Sequence, residues 1–136
     1  MSKTTKIISL VMAFILIIGF LFVVKNKTVL SKEPIKIGMV GGFTGAAATW
    51  ADMAKKSIDL AVKEENDVGG INGRQIQMIY EDGQTSPAKN ISAFNKLVSV
   101  DRVSIVFGDV WSFITNPLIP LAEQNKIILM SPTVMD

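Results

Sequence analysis

Residues 35–45 read Ile35-Lys36-Ile37-Gly38-Met39-Val40-Gly41-Gly42-Phe43-Thr44-Gly45. A short apolar run, Ile35 to Val40, passes directly into a glycine-rich turn. Such a run predicts a strand that opens at its carboxyl end into a loop. The spacing then predicts a helix from about Thr49 to Asp67. Trp50, Ala54, Ile58, Ala61 and Val62 share one face, and Asp52, Lys55, Lys56, Asp59 and Lys63 lie opposite. Asp52–Lys56 and Asp59–Lys63 stand at ion-pairing i,i+4 separation. Gly69-Gly70 is a stop signal for this helix.

The same alternation continues downstream. Asn72-Gly73 predicts a tight turn into a second strand, about Gln75 to Glu81. Ser86-Pro87 opens a second helix, with serine as cap and proline in the first turn. Ile91, Phe94, Leu97 and Val98 form its apolar stripe. Val103 to Phe107 reads as a third strand covered on both faces. Ser112 to Gln124 reads as a third helix perturbed by Pro117 and Pro120, and Ile127 to Met130 as a fourth strand. The order β-α-β-α-β-α-β predicts an α/β fold, a parallel sheet in a three-layer lobe. Sheets of this kind bind ligands beyond the carboxyl ends of their strands. Here those ends are residues 41–50, 82–85, 108–112 and 131–136.

Upstream, Ile7 to Val24 carries no charge, and Lys3 and Lys6 precede it. A helix of that length nearly crosses a hydrocarbon core of roughly 30 Å. No small-x-small cleavage site precedes Lys25. An uncleaved membrane anchor is therefore favoured over a cleaved export signal, and a buried core helix over neither. Residues 1–34 form this targeting segment and linker, and residues 35–136 form the folded domain.

Charge and composition exclude several chemistries. Residues 1–34 hold five lysines against Glu33, whereas residues 35–136 hold nine basic and eleven acidic side chains. The folded part has no basic footprint for nucleic acid. The chain has no cysteine and no histidine. A Ser-His-Asp triad, a cysteine nucleophile and a Cys/His zinc site are thereby excluded. The glycines at 38, 41, 42 and 45 fit neither G-x-G-x-x-G nor the P-loop pattern. Glu81 and Asp82 are adjacent on a strand and point to opposite faces, which ill suits acid–base work on one atom. No catalytic residue, cofactor or metal ligand is expected. Trp50 has two readings, core packing or the wall of a ligand pocket, with core packing slightly ahead. Ser112 also has two, helix cap or hydrogen-bond donor to a ligand.

The ordered set Ile35-Lys36-Ile37-Gly38, Thr44-Gly45, Gly69-Gly70-Ile71-Asn72-Gly73-Arg74, Glu81-Asp82, Ser86-Pro87-Ala88-Lys89 and Ser131-Pro132 resembles the type I periplasmic binding proteins. The nearest branch is the leucine/isoleucine/valine-binding family of ABC importers. The resemblance covers residues 35–136 and implies the first part of lobe one of a longer, two-lobed protein, so the chain reads as a fragment. It implies an extracytoplasmic solute-binding component that delivers a small molecule to an ABC permease, with no enzyme activity. It also implies ligand contacts at Trp50, at Ser112 (solute carboxylate), at Thr133 (backbone carbonyl to an ammonium) and at Met135. At that last position amino-acid binders carry threonine, and methionine has no hydroxyl to donate. That departure points toward a more apolar or amide-like solute. Two alternatives stand beside this reading: a membrane-anchored sensor domain, motivated by the apolar segment, and a Rossmann-like nucleotide-dependent enzyme.

Overall fold

The computed structural model describes Met12 and residues 33–131. The chain divides into two units, residues 1–31 and residues 32–136. Every strand described below lies in the second unit. The rest of the apolar segment 7–24, with Thr133 and Met135, lies outside the described residues. No helix among those described is long and apolar enough to cross a membrane.

The elements are β1 (Ile35–Gly41), α1 (Ala48–Asp67), β2 (Ile76–Asp82), α2 (Pro87–Ser99), β3 (Ile105–Phe107), α3 (Ser112–Thr115), a 3-10 turn (Asn116–Leu118), α4 (Ile119–Asn125) and β4 (Ile128–Met130). The four strands form one sheet in the order β2-β1-β3-β4, and every pair is parallel. β1 is therefore central. Ile35 pairs with Ile76 on one side, and Gly38 pairs with Val106 on the other.

A constant crossover hand on a sheet of this order puts α1 on one face and the later helices on the other. Side-chain alternation along β2 agrees. Ile79 packs against the core beneath α2, and Glu81 pairs with Lys96 of α2, while the intervening Tyr80 turns to Asp59 of α1. The core lies on the α2 side. Val40, Phe94, Leu97, Val103, Val106, Leu118 and Ala122 are buried together, and Ile91 and Val98 pack against them. The stripe read from the sequence of α2 thus faces the sheet. Asn72 and Gly73 both take positive φ, with Ile71 and Arg74 bridged across the tight turn.

Three local expectations need correction. First, α1 buries little: of its residues only Ala51 is buried, Ala54, Ile58 and Val62 are half-buried, and Trp50 and Ala61 are exposed. Its seam with β2 is largely polar. Tyr80 Oη donates to Asp59, Lys55 Nζ pairs with Asp59 at 2.5 Å, and the same ammonium sits 4.2 Å above the Tyr80 ring. Asp59 is thereby turned away from Lys63, which pairs with Asp67 instead; Asp52–Lys56 forms at 2.6 Å. Second, β3 is covered fully only on its Val106 side. Ile105 and Phe107, on the α1 side, are half-buried, and on β4 Ile128 and Met130 stay 59% and 47% exposed. Third, the helix over Ser112–Gln124 breaks into α3, the 3-10 turn and α4. Pro117 and Pro120 lack the amides that a continuous α-helix needs there.

Candidate ligand site at the strand ends

The loops beyond the carboxyl ends of β2, β1, β3 and β4 stand side by side, since those strands are neighbours in that order. The central one, residues 42–47 after β1, is clamped from both sides by carboxylates. On the β2 side, Asp82 Oδ2 accepts Thr44 Oγ1 at 2.6 Å, and Oδ1 accepts the amides of Thr44 at 3.2 Å and Gln84 at 2.8 Å. Partial burial pulls this carboxyl upward. The donors from Thr44 and Gln84 outweigh it and hold the group below the usual carboxylate range. Thr85 adds a second tie. Its hydroxyl donates to the Thr44 carbonyl at 3.1 Å and accepts the Ala47 amide at 3.0 Å. Thr85 and its neighbour Gln84 both take left-handed backbone, a conformation that costs a non-glycine residue about 1 kcal/mol or more.

On the β3 side stands Asp109, fully buried. Its Oδ2 accepts the Gly42 amide at 2.5 Å, and its Oδ1 accepts the Trp111 amide at 3.3 Å. Its carbonyl accepts Thr115 Oγ1 at 3.0 Å and Ser131 Oγ at 3.4 Å. One residue thus touches the loop after β1, its own turn, helix α3 and the residue after β4. Burial pushes the Asp109 carboxyl up. The amides of Gly42, Trp111 and Val110 oppose that shift, and the negative charge of Asp82 reinforces it.

The turn that Asp109 holds carries Trp111, Ser112 and Phe113. The Trp111 and Phe113 rings stack with centroids 5.7 Å apart at 29°, and Phe113 is 59% exposed. Ser112 lies between them in sequence and is half-buried. It occupies the first helical position, with Trp111 at the cap position. Helix α3 spans four residues, too short to lend much dipole to a solute carboxylate. Trp50 is 54% exposed at the start of α1, which overturns the core-packing reading and leaves the ring free to wall a pocket. Both tryptophans of the chain therefore sit at the carboxyl-end pole of the sheet.

Of the residues chosen from sequence, the structure brings Trp50 and Ser112 to this pole. Asp109, Trp111 and Phe113 are not among those residues, although 108–112 is one of the strand-end loops that the sequence defines. A tryptophan in that loop was the available signal. A cavity of about 600 Å³ opens at the opposite pole, among Glu33, Lys36, Arg74 and Arg102. It lies at the amino ends of the strands, where a parallel sheet offers neither helix starts nor convergent loops. Among the described residues, no group of three or more His, Cys, Asp or Glu side chains could hold a metal ion.

A parallel sheet with clamped loops at its carboxyl ends defines a class of α/β domain suited to holding a small solute. A model of the periplasmic binding protein family matches residues 34–136. The chain belongs to that family, in the type I, leucine/isoleucine/valine-binding branch. It is 29% identical over 133 residues to the leucine-, isoleucine-, valine-, threonine- and alanine-binding protein of Pseudomonas aeruginosa, covering 98% of this chain and 34% of that protein. It is 33% identical over 98 residues to Leu/Ile/Val-binding protein homolog 2 of Brucella abortus, covering 72% and 26%. Among solved structures, the branched-chain amino acid transporter substrate-binding protein LivJ of Streptococcus pneumoniae, in complex with isoleucine, superimposes with a TM-score of 0.73 at 32% identity, covering 76% of this chain and 30% of that one. The chain spans about a third of the length of these relatives.

Proposed function

We propose that this chain supplies one wall of the solute site in an extracytoplasmic binding component of an ABC importer. The observation that carries the reading is the strand-end turn of β3, where Ser112 is flanked in sequence by two aromatic residues whose rings stack, in a turn held by the fully buried Asp109. Relatives named for branched-chain amino acids, one of them holding isoleucine, support the solute class. Trp50 and the Trp111–Phe113 pair offer apolar surface for a hydrocarbon side chain. Ser112 and the backbone at Thr133 receive its polar end. Met135 offers no hydroxyl to donate to a carboxylate, which favours a more apolar or amide-like solute. Capture requires no chemistry of the chain's own. The loaded protein delivers its solute to a membrane permease at the cell envelope, held there by residues 7–24.

Isothermal titration of the protein as the cell produces it, against leucine, isoleucine, valine and their amides, tests this reading. Saturable heat with one of these solutes is the expected result. Absence of heat with all of them, in a folded protein, removes the assignment.

A further inference from the structure

Asp109 is the one fully buried ionisable group among the described residues, and nothing in the capture of a solute requires it to touch that solute. A carboxylate withdrawn from water costs several kcal/mol unless its lone pairs are filled. Here backbone amides fill them, and two of those amides belong to different loops. Gly42 lies 67 residues before Asp109 in sequence, and Trp111 lies two residues after it. The two oxygens of one rigid group therefore set the spacing between the turn after β1 and the turn that bears Ser112. Space for this arrangement is tight. A Cβ on Gly42 would stand 2.6 Å from Thr85 Oγ1 and 3.1 Å from Ala47 Cβ, so a side chain at this position crowds the turn.

We infer that Asp109 is the positioning residue of the solute site: its carboxylate locks the β1 turn to the Ser112 turn and so sets solute affinity without contacting the solute. The inference rests on the solute-binding reading above for its consequence, though not for its geometry. Both oxygens accept fully only when the group is ionised. Protonation turns one oxygen into a donor facing an amide N–H and releases one of the two turns. Asn at this position does the same permanently, because its NH₂ must face one of the two amides. The charged group that the structure sets against Asp109 is Asp82, at the end of β2. Hydrogen bonds from Thr44 and Gln84 hold Asp82 ionised, so it raises the pH at which the lock engages. The other elements packed on Asp109 present Gly42, Thr115 and Ser131, none of which titrates.

The test is a pH titration of the full chain labelled with 15N-glycine and 15N-tryptophan. The chain has 10 glycines and 2 tryptophans, so the spectrum is sparse. The expected result is that the Gly42 and Trp111 amides move together with one midpoint, above the ordinary aspartate value of about 3.9. Independent midpoints, or no movement of either, overturn the inference without recourse to any variant. Asp109→Asn should abolish the shared titration and weaken solute binding at neutral pH about tenfold or more. Unchanged affinity in that variant also overturns the inference. If the wild-type protein binds none of the solutes while its two amides still titrate as one, the functional reading fails and the lock stands.

Discussion

The Gly42 amide and the Asp109 carboxylate meet at 2.5 Å, and both groups are buried. Gly42 follows the first strand of the sheet and Asp109 follows the third, so this bond closes the middle of the carboxyl-end pole. Gly42→Ala should destabilise the protein by about 1–3 kcal/mol, since the added methyl meets Thr85 and Ala47 and overpacks the turn. Urea denaturation checks this. A midpoint equal to wild type would show that the turn can give way.

Gly83 and Asn90 form a second tight pair. A Cβ on Gly83 would fall 1.4 Å from Asn90 Oδ1, and the fully buried Asn90 amide has no hydrogen-bond partner among the described residues. Gly83→Ala should therefore cost more than about 2 kcal/mol in the wild-type background and much less in an Asn90→Ala background. Asn90→Ala alone should be close to neutral, because loss of an unsatisfied amide offsets the cavity left behind. A double-mutant cycle on denaturation midpoints reads the coupling, and additive effects would refute the pairing.

The α1–β2 seam predicts a pH dependence. Partial burial acts to raise the Asp59 carboxyl, but hydrogen bonds from Lys55 and Tyr80 prevail and hold it below its ordinary value. A depressed folded-state value stabilises the protein above the unfolded value of about 3.9, and that stabilisation is lost as the pH falls through the folded value. Tyr80→Phe removes one donor and should cost about 1 kcal/mol at neutral pH. Its stability should also fall less steeply on acidification than that of the wild type. Thermal melts between pH 6 and pH 3 make the comparison, and parallel curves would contradict the assignment.

The aromatic residues at the strand ends provide a solute readout. With Trp50 and Trp111 the only tryptophans, indole emission reports on this pole alone. Solute addition should change emission in the wild type and, by less, in Trp50→Phe and in Trp111→Phe, each of which keeps one of the two reporters. Ser112→Ala should weaken binding about tenfold through loss of one hydrogen bond to a charged group. Equal responses in all four proteins would place the solute elsewhere.

Much of the fold was legible because it rests on local rules. Strand and helix order followed from apolar runs, from Gly69-Gly70, Asn72-Gly73 and Ser86-Pro87, and from the periodic stripe of Phe94 and Leu97. What stayed hidden depends on which face of the sheet is covered. The stripe containing Trp50 and Ala61 looks like a core face, yet α1 meets β2 through Tyr80, Asp59 and Lys55. Asp109 was illegible for a related reason. In sequence Gly108-Asp109 looks like an ordinary polar turn, and only the placement of β1 beside β3 brings the Gly42 amide to it. Ser112 and Trp50 could be chosen because strand-end loops are few. Their neighbours Trp111 and Phe113 could not, because stacking is a property of the folded turn.

The position of β1 in the middle of the sheet has a consequence for synthesis. It is the first of the described strands to leave the ribosome, and its pairing partners Ile76 and Val106 are encoded far downstream. At roughly 5–20 residues per second, translation leaves an apolar segment without a neighbour for a few seconds. Helices α1 and α2 can form locally in that interval, while β1 waits on long loop closures from both directions. Among the described strands the earliest thus stays without one of its two neighbours until β3 has been made, and its enclosure waits on residues some seventy positions downstream.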